Sequence, residues 1–356
     1  MPATRPIVIW NVERLFRPGG SALARALGAT SVEGWTAPVY RRKIAAVGGA
    51  LRATTNGVTP AFIALIEVED ERVVEDLCDA AGWPDLVNVV PPEERVAGYD
   101  VALAYDPTIW RSASAESWTI NNRFSTRDVL FVRLQRRGAS ELAVMVVHWP
   151  SRKLSNAEPL RIAAGAFCGG IVERTLKFQR EELFDQRGRA RLPSDQRLVG
   201  KWNTPLMIVG DFNDEPWDPS VESLGVATRE PREATRRPRL PRANVGRSPV
   251  MRYLELRPRL YNPTWELLAG AGPYGTVRFG GAWALLDQVV VSGGALGEDA
   301  PYYVTGSLHV FPEREVQTPD GLPVTLRTRG GDPFAFDPAT GRGASDHLPL
   351  LASVYV

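Results

Sequence analysis

Cysteine, histidine and net charge are all scarce in this chain of 356 residues, and each shortage closes off a class of function. The two cysteines, Cys78 and Cys168, stand far apart inside segments with helical patterning, which leaves neither a disulfide framework nor a zinc-binding spacing. A reducing compartment is the expectation. A formal net charge of +1 removes any global pull toward nucleic acid or an anionic membrane, so polyanion binding has to come from local groups of Lys and Arg. No apolar stretch reaches the length of a bilayer span, because Gly, Pro or a charge interrupts each candidate. From Met1 the chain runs straight into the apolar stretch Ile7 to Trp10, without the apolar core and small-residue cleavage site of a signal peptide. Together these shortages lead to the expectation of a soluble, cytoplasmic protein with no membrane partner. With 44% hydrophobic and 23% charged residues, the chain has enough apolar mass for one large core.

Short β-branched runs recur along the chain: Ile7 to Trp10, Phe62 to Ile66, Leu86 to Val90, Val101 to Tyr105, Val129 to Leu134, Leu142 to Val147, Leu206 to Val209, Leu285 to Val291 and Leu350 to Val356. They predict strands. Helical spacing is predicted over Tyr40 to Arg52, Glu71 to Ala81, and a long stretch from about Ala157 to Arg187. Strands come both singly and in pairs around the helices, which suggests an α/β architecture with much antiparallel pairing. Residues 17 to 38, rich in Gly, Ala and Ser, predict a loop with at most a helical turn. Arg229 to Arg259 is crowded with Arg and Pro and reads as an exposed excursion. Its basic character is the one local argument for a polyanionic partner.

Polar residues able to do chemistry cluster at strand ends. Asn11 and Glu13 follow Ile7 to Trp10, Glu67 follows Phe62 to Ile66, His148 follows Leu142 to Val147, and Asp211 and Asn213 follow Leu206 to Val209 across Gly210. In open sheets ligands collect at such an edge, where polar groups leave a rigid apolar frame. Asp287 interrupts an apolar run, and a buried acid needs a partner. Asp346 and His347 sit in a small-residue turn before the last strand. Of the three histidines, His148 and His347 share this polar strand-end setting and His309 does not. Histidine changes charge near neutral pH, and a neighbouring carboxylate can hold it protonated. Carboxylate and amide oxygens suit a hard cation such as magnesium, which often binds through one or two carboxylates plus substrate phosphate. The two needs together describe phosphoryl chemistry. Taken singly, each residue has a plainer reading: Glu67 with Glu69 to Glu71 as the acidic start of a helix, Asp211 and Asn213 as a turn, His148 as a hydrogen-bonding residue. Their joint appearance in this order is what raises the functional reading.

In that order the motifs IVIWNVERLF, FIALIEVED, HWPSR, GDFND, LLDQVVVS and SDHLP resemble those of the endonuclease/exonuclease/phosphatase superfamily from residue 6 to residue 356. WTAPVYRRKIAAV and YNPTWELL also resemble a bacterial branch whose members begin with a Trp-Asn-Val motif. The resemblance implies a four-layer α/β/β/α sandwich of two mixed β-sheets flanked by helices, in one domain over residues 1 to 356. By the same resemblance Glu67 is the principal magnesium ligand, with Asn11 beside it and Asp346 and Glu13 assisting; manganese is an alternative metal. Asp211 deprotonates or orients the attacking water, Asn213 holds water or phosphate, His347 oriented by Asp287 contacts the scissile phosphate, and His148 serves phosphate or leaving group. The implied activity is metal-dependent hydrolysis of phosphate esters. A nuclease or phosphodiesterase on nucleic acid is the preferred form, given the Arg-rich segment. The alternatives are a phosphatase or phosphodiesterase on a small-molecule or lipid phosphate, and an inactive binding module on the same fold. The sequence points to no protein partner.

Overall fold

Strands apolar on both faces set the architecture. In Thr4–Leu15 (β1) the side chains of Ile7 and Ile9 enter one buried cluster, while Val8, Trp10 and Val12 enter another. Such a strand has to lie between two covering layers, since its side chains alternate between the faces of the sheet. The computed structural model describes residues 3–18, 34–91, 100–121, 125–136, 141–236, 248–269, 275–297 and 302–356.

The first half of the chain adds Phe62–Val68 (β2), Val87–Val89 (β3), Asp100–Tyr105 (β4), Trp110–Asn121 (β5), Ser125–Arg136 (β6) and Glu141–His148 (β7). Leu206–Asp211 (β8), Ala227–Thr228 (β9), Leu260–Tyr261 (β10), Val277–Phe279 (β11), Ala282–Ala284 (β12) and Asp287–Ser292 (β13) follow. Tyr302–Tyr303 (β14), His309–Val310 (β15), Glu315–Gln317 (β16), Pro323–Thr325 (β17) and Leu350–Tyr355 (β18) complete the set. One sheet runs in the order β14-β18-β1-β2-β4-β3, with β15 also on β18; the other runs β5-β6-β7-β8-β13-β10-β9. Both are mixed: β1 pairs parallel to β2, β7 parallel to β8, and β8 antiparallel to β13.

The two sheets pack face to face over a shared core that includes Ile9, Phe62, Leu103, Leu130, Val144, Val209 and Val289. Burying each such side chain is worth roughly 1.5–3 kcal/mol. The outer face of the first sheet is covered by the helices Ala37–Thr54 (α1) and Glu71–Ala81 (α2), and that of the second by Glu158–Leu176 (α3). The result is the expected four-layer α/β/β/α sandwich. Among the described residues no helix is long and apolar enough to cross a membrane.

Every predicted strand run forms a strand, and α2 has the predicted bounds. The long predicted helix does not hold. It stops at Leu176, where Lys177 turns extended (φ −131°, ψ 151°) and buries its ammonium against the carbonyls of Leu254 and Leu256. Gln179 and Glu182 then cap a separate short turn, Arg180–Leu183. β5 escapes the pattern search because it is an edge strand with a bulge near Ser112 and much of its length exposed, where polar residues guard against pairing with other chains. The Arg/Pro-rich segment is only partly an excursion. Ala234 joins the inter-sheet core, and Val250 and Tyr253 pack with Phe178, Leu183 and Leu198. Residues 237–247 of that segment, and 19–33 of the predicted loop, lie outside the described residues. At the near end of that loop Trp35 donates from Nε1 to the carbonyl of Phe16 at 2.8 Å.

Candidate active site

Strand register brings three of the predicted residues into one row. Across the second sheet His148 is the pairing partner of Asp211, and Asp211 of Asp287, so β7, β8 and β13 place them side by side at one end. Gly210 makes this approach feasible. Its φ is +138°, and a Cβ there would sit 2.0 Å from the carbonyl oxygen of Val147. Asp211 Oδ2 lies 3.6 Å from His148 Nε2 and 4.0 Å from His347 Nε2, while Oδ1 accepts the backbone N–H of Asn213 at 2.8 Å. The buried acid Asp287 has the partner that the sequence demanded: its Oδ2 accepts from His347 Nδ1 at 2.7 Å and from the hydroxyl of Thr276.

His347 comes from the segment before β18 and is pinned from several sides. Its carbonyl accepts Trp10 Nε1 at 2.9 Å, and its N–H goes to Ser345 Oγ at 3.0 Å, which in turn donates to the carbonyl of Asn11 at 2.7 Å. Burial alone would lower the pKa of this imidazole, but the carboxylates of Asp287, Asp211 and Asp346 outweigh it and raise the pKa well above 6.5. Asp211 is pushed up to about 7 by burial and by the neighbouring Asp287, against the opposing pull of His347 and its hydrogen bonds.

The first sheet supplies its residues through irregular backbone. β1 continues past Asn11 to Leu15, and the β1–β2 pairing shifts register between those two residues. Glu13 (φ 54°), Arg14 (φ 48°) and Glu67 (φ 66°) all take the left-handed conformation, as does Asn213 (φ 50°) in the second sheet's loop. Non-glycine residues rarely adopt it, and its concentration here is the kind of strain that functional sites store. Glu67 Oε2 accepts the N–H of Arg14 at 2.9 Å, and its Oε1 lies 3.4 Å from Asn11 Nδ2 and 3.8 Å from His148 Nε2. Asn11 Nδ2 also donates to Asp211 Oδ2 at 3.1 Å, so this amide joins the two sheets' contributions. Glu13 Oε2 accepts the N–H of Phe336 at 3.0 Å, and Asp346 lies 3.9 Å from His347 Nε2 and 3.7 Å from Lys153 Nζ. All nine predicted residues therefore connect through one continuous set of polar contacts.

Residues 6–182 match the model of the endonuclease/exonuclease/phosphatase family. The chain belongs to that family. No curated protein matches it in sequence. Among solved structures it is similar to truncated TDP2 of Caenorhabditis elegans, with TM-score 0.54 and 12% identity over 99% of this chain and 98% of that one. It is also similar to a humanized D. rerio TDP2, with TM-score 0.54 and 13% identity over 99% of each chain. A third is an endonuclease/exonuclease/phosphatase family protein of Bacteroides thetaiotaomicron, with TM-score 0.50 and 10% identity over 99% and 98%. At such identities the likeness concerns the fold.

Hydrolases of the family act on phosphate esters and are generally dependent on a divalent metal. The oxygen-rich side of this site fits one. Burial raises the pKa of Glu13, and although Lys43 opposes this, repulsion from Asp346 and Glu67 adds to it, an arrangement a divalent cation would relieve. Asn11 departs from the simplest expectation: its Oδ1 accepts the N–H of Glu13 at 3.0 Å, so the amide nitrogen faces the carboxylates. Among the described residues the one trio of His, Cys, Asp or Glu whose candidate ligand atoms all lie within 4.8 Å of one another is Asp211, Asp287 and His347. There His347 Nδ1 is already committed to Asp287, while its Nε2 lies 4.0 Å from Asp211 Oδ2.

Two parts of the site escaped the sequence reading. Lys43 on α1 is buried, donates to the carbonyl of Glu13, and lies 5.4 Å from the Phe336 ring centroid. Burial lowers its pKa to about 8 against the pull of Glu13 and Glu67. A signal existed, since Lys43 falls at helical spacing among Val39, Tyr40, Ile44 and Val47 on the buried face. The second is Asp214, which follows Asn213 and accepts from Arg161 Nε at 2.7 Å and from Arg152 at 3.3 Å.

Proposed function

We propose that this chain hydrolyses phosphodiesters of nucleic acid, with magnesium as its metal and manganese able to replace it. The observation that carries the reading is Asp211: a buried acid pushed up to about 7, in reach of His148, His347 and Asn11 at once. Such a group takes a proton from an attacking water near neutral pH. Asn213, fixed by its Nδ2 donating to the carbonyl of Trp149 at 3.0 Å, holds that water or a phosphate oxygen. His347, kept protonated by Asp287, donates from Nε2 to the scissile phosphate, and Asp287 thus acts as a positioning residue. His148 serves a second phosphate oxygen or the leaving group. Glu67 and Asp346, with Glu13 and Asn11 behind them, are the residues to hold magnesium. When bound, the metal supplies Lewis-acid stabilisation of phosphate and leaving oxygen.

Nucleic acid is preferred over a small or lipid phosphate because of an aromatic and basic patch just beyond the GDFND turn. Trp217, 44% exposed, packs against Trp265 with centroids 5.5 Å apart and ring planes tilted by 59°, and the Arg229 guanidinium lies 5.9 Å from the Trp265 ring. Aromatic faces with an adjacent cation bind unpaired bases with little regard to sequence. The pairing of β1 with β18, the two ends of the chain, supports one domain over residues 1 to 356.

The test is hydrolysis of plasmid, single-stranded DNA, RNA and bis-p-nitrophenyl phosphate, with chelator and after magnesium or manganese is restored. Activity should vanish with chelator and return with metal, and the rate on plasmid should fall steeply with salt. A flat salt profile overturns the nucleic-acid reading, and metal-independent turnover overturns the metal assignment.

A further inference from the structure

A cavity of about 320 Å³ opens beside the site, between the start of α3, the turn after β8 and the β11–β12 hairpin. That size lies at the small end for ligand pockets, which run from about 300 to 1,000 Å³, and suits one moiety of a larger substrate. Two of its walls are tied to the proposed catalytic residues. Arg152 donates from Nε to the carbonyl of Asn213 at 2.8 Å. Phe279 is on β11, whose Val277 bridges to His347. A group attached to a phosphate held by His347 and Asn213 is therefore within a short link of the cavity.

The chemistry of the walls argues against a second phosphate. Arg152 is held by Asp214 at 3.3 Å and by Asp218, Arg161 by Asp214 at 2.7 Å, and Glu158 adds a further carboxylate. Acids outnumber the two guanidiniums, so the cavity has no surplus positive charge for an anion. What it offers is the planar ring of Phe279 and the aliphatic side chain of Ile162, the latter 38% exposed, beside side chains that donate and accept hydrogen bonds. The wall is rigid. Ser220 Oγ donates to Asp214 Oδ2 at 2.5 Å, and α3 packs so closely there that a Cβ on Gly165 would lie 2.1 Å from the carbonyl oxygen of Ser220.

We propose that this cavity receives the base of the nucleotide flanking the scissile phosphate. A nucleobase is uncharged, planar and edged with donors and acceptors, which matches an apolar wall next to neutralised Arg and Asp side chains. The proposal rests on the phosphodiesterase reading above and deepens it.

The experiment compares thymidine 5′- and 3′-p-nitrophenyl phosphates with their abasic deoxyribose counterparts, all with the same leaving group, in magnesium. In at least one orientation the base should raise kcat/KM roughly 5- to 100-fold, mainly through KM. Phe279→Ala should remove that preference. So should Ile162→Trp, an exposed helix position where the larger ring fills the cavity without disturbing the core. Both variants should keep the wild-type rate on the abasic esters. Equal wild-type rates with and without the base in both orientations overturn the proposal, as do variants that leave the preference intact or slow both esters alike. Failure of the wild type to hydrolyse any diester overturns the phosphodiesterase reading and this one with it, whereas hydrolysis indifferent to the base overturns this one alone.

Discussion

The two sheets build their halves of the site in opposite ways. The second sheet uses regular pairing: His148, Asp211 and Asp287 are neighbours because three strands stay in register to their ends. The first uses broken pairing: Asn11, Glu13 and Glu67 face the cleft because β1 and β2 are bulged, and Glu13 and Glu67 take left-handed backbone. The electrostatics divide likewise. At the second sheet two acids are offset by the raised imidazole of His347, brought in by the segment before β18; on the first, a buried lysine stands behind carboxylates that repel one another. Regular pairing positions proton-transfer groups to a fraction of an ångström, while strained backbone crowds like charges where a cation is to bind.

Breaking the second-sheet half at its centre should have the largest effect. Asp211→Asn keeps the shape of the side chain but removes its basicity and turns one of its two acceptor oxygens into a donor, so turnover of bis-p-nitrophenyl phosphate should fall by about 10²–10⁴-fold while circular dichroism shows the fold retained. A variant within threefold of wild type would remove Asp211 from the proton-transfer role.

The first-sheet half should instead break in stability. Lys43→Met leaves the half-buried Glu13 carboxylate without its nearest counter-charge and the Glu13 carbonyl without its donor, at a cost of about 1–3 kcal/mol in urea unfolding of chelator-treated protein. The loss should shrink in acid, where Glu13, whose pKa burial has raised, takes up a proton. An equally stable Lys43→Met protein would show that the lysine plays no part in holding the bulge.

A smaller effect distinguishes the imidazole. Because the pKa of His347 is raised above 6.5 on folding, its pairing with Asp287 contributes stability that is complete below about pH 6.5 and lost as the pH climbs through the folded value. Unfolding free energies of chelator-treated wild type and Asp287→Asn should differ most at and below pH 6.5 and converge as the pH rises. A gap that widens with pH would refute the pairing.

The least effect is expected where the two halves are alike. Cys78 packs under the first sheet and Cys168 under the second, and burial pushes both thiols up to about 12. Neither should react with iodoacetamide in the native protein at pH 8, and both should react in urea. Selective native labelling of one would show that its covering helix opens more readily than the other.

Much of the sandwich was legible in the sequence, because strands buried on both faces need unbroken β-branched runs, and those runs are visible. β5 was not, since an edge strand with much of its length exposed carries no such run, and the continuation of α3 to Arg187 was over-read because helical spacing does not register the turn at Lys177 that only the carbonyls of Leu254 and Leu256 reward. His148, Asp211 and Glu67 stood out because a polar residue ending an apolar run is conspicuous. Lys43 did not stand out, since a lysine that ends the basic run Arg41, Arg42, Lys43 ordinarily lies in solvent.

The order of polar residues along the chain, and the apolar runs that carry them, are properties of the sequence by itself, because side-chain periodicity is a local consequence of backbone geometry. Which oxygen faces which nitrogen was decided only by tertiary structure: Asn11 turns its amide nitrogen to Glu67 and Asp211 because the bulge brings the N–H of Glu13 onto its oxygen, and His347 meets Asp287 because two sheets close on each other. Asn11 is 56 positions from Glu67 and 200 from Asp211, and His347 is 60 from Asp287, so no local preference of the chain encodes these contacts.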